Sequence, residues 1–417
     1  MEADLVVIGA GALGLSTALH AALLGRRAVV VERHTAGSQA SGRAAGLFKS
    51  VQADELRTWL ARRSIELALT FPDWAGSELG VRQSGSFLIA RTDEHKAYLQ
   101  TEARHSARWG VDLREAQPGE VASRLSYFRS ASHDGASHGG TGSEYALWCP
   151  EDIYIEEPIS LIRAYLAAGQ LHGVELLESE AVTGVTVSAG RVTGVETTAR
   201  SIAAPVVVDA AGAWTRQVAE LAGEEVAVAP VRHQLIITDP ADSIDPADPI
   251  ARIVDAAVYL RPARHGLMAG GFEADPLPLD PRSQARSFTT DDVPLDMGVL
   301  EAMAGQVADE VPLFGDAAAS GGIAEHRGGL FTMTPDGRFV TGPVPDLPGL
   351  WVASGCNGSG FSSSLAIGEA LAGWICGQEP RVDISALSPA RFGCVTDEEL
   401  VKAGVWQYAH YYDPAAS

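Results

Sequence analysis

Apolar positions follow two different rhythms along this chain. Residues 5–8 and 28–31 are unbroken apolar runs, LVVI and AVVV, the pattern of strands buried on both faces. Between them residues 12–24 are apolar with small residues spaced through, which reads as a buried helix. Residues 55–69 place Leu56, Trp59, Leu60 and Leu67 at helical spacing, and 94–109 form a second amphipathic helix. Residues 84–90, 174–178 and 206–209 read as strands and 156–168 as a helix. The segment 182–198, VTGVTVSAGRVTGVETT, predicts a hairpin with Ala189 and Gly190 at its turn. From residue 226 the rhythm shifts to strands broken by proline-rich loops, at 232–238, 258–262 and 265–273, with a helix over 295–307. The chain then returns to a strand at 350–353, a Gly/Ser loop and a helix starting near Ser363. The pattern predicts a mixed α/β chain: buried strands alternating with helices at both ends, and an antiparallel sheet with helical cover between them.

Composition narrows the class. The 417 residues suffice for two domains, and 46% hydrophobic with 20% charged residues is a globular balance. A formal net charge of −22 argues against nucleic acid or an anionic membrane as partner. Four cysteines, Cys149, Cys356, Cys376 and Cys394, lie far apart with no metal-ligand spacing, as expected of free thiols in a reducing compartment. Apolar runs are too short to span a bilayer, and the first strand starts so close to Met1 that no leader is expected. Together these predict a cytoplasmic location. His105, His133 and His138 lack a ligand-like arrangement with acids, so no metal is assigned.

The chemistry starts at the turn after residue 8. Gly9, Gly11 and Gly14 form G-x-G-x-x-G between a strand and a helix, and the second strand ends on Glu32. Gly9 permits the tight turn, Gly11 lets backbone approach a pyrophosphate, and Gly14 lets helix and strand pack closely. The helix N-terminus, including Ala12 and Leu13, offers N–H groups to phosphates, and Glu32 suits ribose hydroxyls. A terminal acid disfavours a 2′-phosphate, so the dinucleotide is NAD or FAD. Residues 33–48, with Arg33, Ser41, Arg43, Ala44, Ala45 and Gly46, form a small-residue loop suited to lying against a flat ligand. A second strand-to-glycine turn at Ala211, Gly212 and Trp214 belongs beside the first. Near the C-terminus Gly355, Asn357, Gly358, Ser359, Gly360, Phe361 and Ser362 lead into a helix whose N-terminus carries the positive end of a dipole.

Five segments together, GAGALG with Glu32, VVVDAAGAW, VYLRP…GLMAGGFE, GLFTMTPDGRFVTG and ASGCNGSGFSSSLAIGE, resemble one family. It is the FAD-dependent amine oxidoreductase family of D-amino-acid oxidase, glycine oxidase, monomeric sarcosine oxidase and the sarcosine and dimethylglycine dehydrogenases. The resemblance covers roughly residues 4–392 and is nearest the sarcosine/dimethylglycine branch. It implies a Rossmann-like FAD domain assembled from 1–85, 150–225 and 325–392. An antiparallel substrate domain would come from 86–149 and 226–324, and 393–417 would be a C-terminal tail. It implies hydride removal from the carbon next to an amine nitrogen, giving an imine that hydrolyses, with oxygen or another electron carrier as acceptor. Val182 and Gly329 join the expected FAD contacts.

Departures from the family pattern sharpen this. Arg43 stands where the dehydrogenases carry the histidine for covalent flavin attachment, and Gly329 where monomeric sarcosine oxidase has its cysteine, so FAD is expected to be non-covalent. Met268 replaces the lysine that promotes oxygen reaction, and Phe331 replaces glycine oxidase's carboxylate arginine; both are expected to wall the substrate pocket. The carboxylate arginine of sarcosine oxidase falls near Phe48. His233 and Tyr259 match substrate-touching positions of the dimethylglycine branch, and a neutral His233 is a candidate acceptor for the ammonium proton. Lys49 and Arg43 are candidates for binding a carboxylate or supplying positive charge for oxygen reduction, Lys49 also as a catalytic residue, with Arg261 and Arg327 as weaker ones. The substrate expected is a small-molecule amine, an amino acid or its N-alkyl derivative. The rivals are an FAD-bearing electron-transfer subunit of a larger complex, for which the aromatic tail (408–412) would be an interface, and an NAD-binding protein without flavin.

Overall fold

The computed structural model describes residues 1–129, 145–379 and 381–413. The Ser/Gly/His loop expected over 130–142 therefore lies outside the described residues. Two large sheets organise the chain. The first has six strands in the order Val340–Pro343, Leu350–Ser354, Val207–Asp209, Leu5–Ile8, Ala28–Val31 and Glu175–Leu177. All neighbours pair in parallel except the first two. Leu5–Ile8 and Ala28–Val31 are buried at every position, which is why they read as continuous apolar runs.

Helices Ala12–Leu23, Ile159–Leu171, Ser364–Ile375 and Glu55–Leu69 pack together on one face of this sheet. The first and third cross at very short range. A Cβ on Gly368 would lie 2.1 Å from the Ser16 hydroxyl, so only glycine permits that approach. The opposite face is covered by the predicted hairpin, Val182–Ser188 and Arg191–Thr197, extended by Ser201–Ala203.

The second sheet has eight strands. Their order is Ile323–Met333, Ala229–Thr238, Gly266–Gly271, Val258–Ala263, Ile250–Ile253, Ser86–Ala90, Tyr145–Cys149 and Arg114–Glu115. It is antiparallel except where Ile250–Ile253 runs parallel to Ser86–Ala90. Helices Met297–Gln306 and Pro312–Ser320 seal one face through Leu300, Met303 and Phe314. Ile323–Met333 pairs along Ala229–Thr238, and the chain rejoins the first sheet at Val340–Pro343.

The tail forms a helix, Asp397–Ala409, started by a capping box between Thr396 and Glu399. It packs on Ala229–Thr238 and Ile323–Met333 and buries Tyr408 completely. No helix among the described residues is long and apolar enough to cross a membrane, and no cluster of His, Cys, Asp or Glu there is arranged to hold a metal ion.

Candidate functional site

A cavity of about 590 Å³ runs from the glycine turn after Leu5–Ile8 to the open face of the eight-stranded sheet. That volume is in the range of cofactor and ligand sites. At one end Gly9 has φ +105°, and a Cβ there would lie 2.6 Å from the Ala210 carbonyl. A Cβ on Gly14 would lie 2.1 Å from the Gly9 carbonyl. The turn thus exists only with glycine, and it brings Gly9, Gly11, Ala12 and Leu13 to the cavity wall. Glu32 accepts the backbone N–H of Ala10 and that of His34, each at 2.8 Å, which fixes its carboxylate at the head of the cavity. Ser41 accepts the Ala12 N–H at 3.0 Å.

Most of the expected cofactor residues are brought together here. Arg33 lies over the Trp214 indole at 4.8 Å, and Val182, Ala211, Gly212 and Trp214 complete that end. Ser41, Arg43 to Gly46 and Gly329 line the middle, with Gly358 to Ser362 facing them. Gly14, Gly355, Asn357 and Met268 do not line the cavity. Asn357 is buried in the turn itself, where its amide holds the Gly355 carbonyl and the Thr334 N–H. Met268 sits in a separate cluster with Leu235, Ile237 and Ala263, on the same sheet face as His233 and Tyr259 but packed against Ala45 beyond the cavity lining.

The glycine cradle leaves backbone bare where a Cβ would intrude. Two buried polar atoms on the lining residues, His34 Nε2 and Arg327 Nε, have no protein partner, and such atoms call for a polar ligand. The residues present fit a dinucleotide.

Arg261 has no exposed surface and, among the described residues, no carboxylate within ion-pair distance. Its guanidinium donates to the carbonyls of Ala45 (3.0 Å), Pro262 (2.8 Å) and Glu156 (2.9 Å) and lies over the Tyr154 ring. Burial lowers its pKa to about 10. It fastens the Ala44–Gly46 loop to the second sheet. Arg327 adds a bond from Nη2 to the Ala44 carbonyl at 3.0 Å.

At the other end side chains take over. His233 and Tyr259 come from Ala229–Thr238 and Val258–Ala263, two strands separated by Gly266–Gly271. Tyr259 reaches His233 by lying across Gly270, where a Cβ would come within 2.5 Å of the phenol oxygen. His233 Nε2 is 2.8 Å from the Tyr259 hydroxyl, and Nδ1 is 2.7 Å from that of Tyr408. Phe331 stacks on the imidazole at 4.2 Å, and burial lowers the pKa of His233 to about 3. Both ring nitrogens are occupied, so the histidine meets the contents of the cavity only through Tyr259.

Lys49 is paired with Glu102 at 2.7 Å. Burial works against its charge, but Glu102 outweighs burial and keeps the ammonium above the ordinary lysine value. Arg43 pairs with Asp291. Two cavity-lining cations escaped the sequence reading, Arg286 and Arg252. Arg252 lines the cavity from Ile250–Ile253 and bonds Asp152 at 2.8 Å. Its cue was a lone charge within an otherwise apolar strand, IARI. Phe272, Tyr411 and Tyr412 also line this end, Phe272 and Tyr411 stacked at 3.9 Å.

A family model described as FAD dependent oxidoreductase matches residues 4–374. Mitochondrial sarcosine dehydrogenase of Homo sapiens is 29% identical over 403 residues, covering 94% of this chain and 41% of that protein. Glycine oxidase of Pseudomonas aeruginosa is 29% identical over 401 residues, covering 94% and 99%. The chain thus spans less than half the length of the curated sarcosine and dimethylglycine dehydrogenases it matches. Among solved structures, L-proline dehydrogenase from P. horikoshii superposes with a TM-score of 0.80 at 23% identity, covering 94% of this chain and 98% of that one.

Proposed function

The chain belongs to the FAD-dependent oxidoreductase family, and from that premise we propose that it oxidises a primary or secondary amine of the amino-acid or N-alkyl amino-acid class. The observation that supports this is one continuous cavity joining the dinucleotide cradle to the His233–Tyr259 pair. Bound FAD supplies the hydride-accepting chemistry, and the protein supplies position and electrostatics. Backbone at Gly9–Leu13 and the Glu32 carboxylate hold the nucleotide end. The helix Ser364–Ile375 begins directly after the Gly358–Ser362 stretch that lines the middle of the cavity, so its N-terminus favours negative charge developing there. Phe272, Phe331, Tyr411 and Tyr412 exclude water from the amine, and the Tyr259 hydroxyl orients it. Arg252, opposite Tyr259 in strand register, and Lys49 are the cations available to a substrate carboxylate.

FAD is held without a covalent link, since Arg43 and Gly329 occupy the family's attachment positions. Acid precipitation should therefore leave the yellow colour in the supernatant. The six-stranded sheet and its helices form the cofactor unit, and the eight-stranded sheet forms the substrate unit. The decisive experiment is anaerobic mixing with glycine, N-methylated glycines, 4-methylaminobutanoate and D- and L-amino acids while flavin absorbance near about 450 nm is followed. Bleaching by one of them identifies the substrate class, and recovery in air separates oxygen from another acceptor. No bleaching by any of them would overturn the proposed class.

A further inference from the structure

The family match ends at residue 374, yet a residue of the C-terminal helix reaches the centre of the site. We infer that Tyr408 is a positioning residue: it donates its proton to His233 Nδ1, so that Nε2–H donates to Tyr259 and the Tyr259 O–H is left pointing at the cavity as a donor. The amine subsite then takes a hydrogen-bond acceptor, a free-base nitrogen or a carboxylate oxygen, in preference to an ammonium N–H. This deepens the proposed function and rests on it.

The argument is one of proton accounting. A neutral imidazole has one donor and one acceptor nitrogen, so one of the two tyrosines must donate to it and the other accept. The two are not equivalent. Tyr408 has no exposed surface, and its hydroxyl makes its side-chain hydrogen bond to Nδ1. The other polar group facing that oxygen is the Glu273 backbone N–H, itself a donor. If Nδ1 carried the proton, the Tyr408 hydroxyl proton would be buried without an acceptor, at a cost of about 1–3 kcal/mol. Tyr259 lines the cavity and can hand its proton to water or substrate. The favoured direction is therefore Tyr408 to His233 to Tyr259 to cavity.

The ring's surroundings keep it neutral. Phe331 stacks on one face of the ring at 4.2 Å, and Phe272 lies tilted beside it at 5.3 Å. The charged groups nearby are largely spoken for: Arg232 pairs with Glu273, Arg252 with Asp152, and Arg327 bonds Glu325 and the Ala44 carbonyl. Tyr411 and Tyr412 stand at the cavity, with Tyr412 held protonated by burial.

The test is the tautomer. The full FAD-loaded chain is labelled with ¹⁵N-histidine, and the His233 signals are assigned by their loss in His233→Gln. The expected result at neutral pH is an unprotonated Nδ1 and a protonated Nε2. Tyr259→Phe should keep that pattern. Tyr408→Phe should abolish it, moving both nitrogens toward the averaged position of exchanging tautomers while FAD content and circular dichroism stay at the parent values. A protonated Nδ1 or an imidazolium in the parent would overturn the assignment, as would an unchanged pattern in a folded Tyr408→Phe. If Tyr408→Phe does not fold, the parent and Tyr259→Phe spectra still decide. The measurement needs no substrate, so its failure is distinct from failure of the bleaching assay.

Discussion

The two ends of the cavity are built from different material. The nucleotide end is mostly backbone: Gly9, Gly11 and Gly14 make room, and the turn through Gly9, Gly11 and Ala12 forms the wall. The other end is side chains in buried pairs: His233 with two tyrosines, Arg252 with Asp152, Lys49 with Glu102. Backbone sites fail when atoms are added, because the space is the tool. Paired side-chain sites fail when an atom is taken away, because the partner left behind is a buried orphan.

The largest effect should come from adding one methyl group to the first end. In Gly14→Ala the new Cβ meets the Gly9 carbonyl at 2.1 Å. A loss above about 3 kcal/mol and a colourless or insoluble product are expected. A yellow, fully stable Gly14→Ala protein would break the comparison.

Asp152→Asn comes next, at about 3–5 kcal/mol in urea unfolding, because it strands the Arg252 cation. Burial pushes the Asp152 carboxyl up, but the Arg252 charge and hydrogen bonds from Ser50 and Ser86 outweigh it and leave the pKa below the usual value. A lowered folded-state pKa gives stability that is present above the unfolded value and lost as pH falls through the folded one. The parent's advantage over Asp152→Asn should therefore shrink below about pH 4. An advantage that grows in acid would contradict the pairing.

Lys49→Met should cost about 2 kcal/mol by orphaning Glu102, whose Oε2 already lacks a partner. Adding Glu102→Gln should recover at least half, a coupling that thermal denaturation of the double-mutant cycle reads directly.

The smallest effect is expected at Glu32→Gln. One of its two acceptor oxygens is lost while the backbone turn persists, so the FAD dissociation constant should rise about tenfold, roughly 1.4 kcal/mol. Flavin fluorescence titration measures it, and an unchanged constant would remove Glu32 from the cradle.

The same division explains what could be read from sequence. The glycine turn is local: strand, three glycines, helix and Glu32 fall within about thirty residues, and each leaves its mark on composition. The membership in the FAD-dependent oxidoreductase family and the mixed α/β architecture were legible for that reason. Tyr408 and His233 are 175 residues apart, and Arg252 and Asp152 are 100 apart. Nothing in either local pattern announces its partner. Met268 was expected at the cavity because of what occupies its position in relatives, but in this sheet it pairs in register with Ile237 and Arg261 and packs with Leu235 and Ala263. The C-terminal helix carried a readable signal, the Thr396 to Glu399 capping box ahead of Leu400 and Tyr408, hidden by a short and aromatic tail.

The Arg261 rivet has a mechanical consequence. It ties the loop beneath the cofactor site to the eight-stranded sheet through charge-assisted bonds to Ala45 and Glu156. Each such bond contributes about 1.5–3 kcal/mol. Rocking the two sheets apart like jaws would strain the contacts to Ala45 and Glu156 at the same moment, inside a dry core. The molecule is therefore stiff along the axis that a hinged enzyme would use for admission. Traffic in and out is left to its rim, where motion breaks fewer bonds.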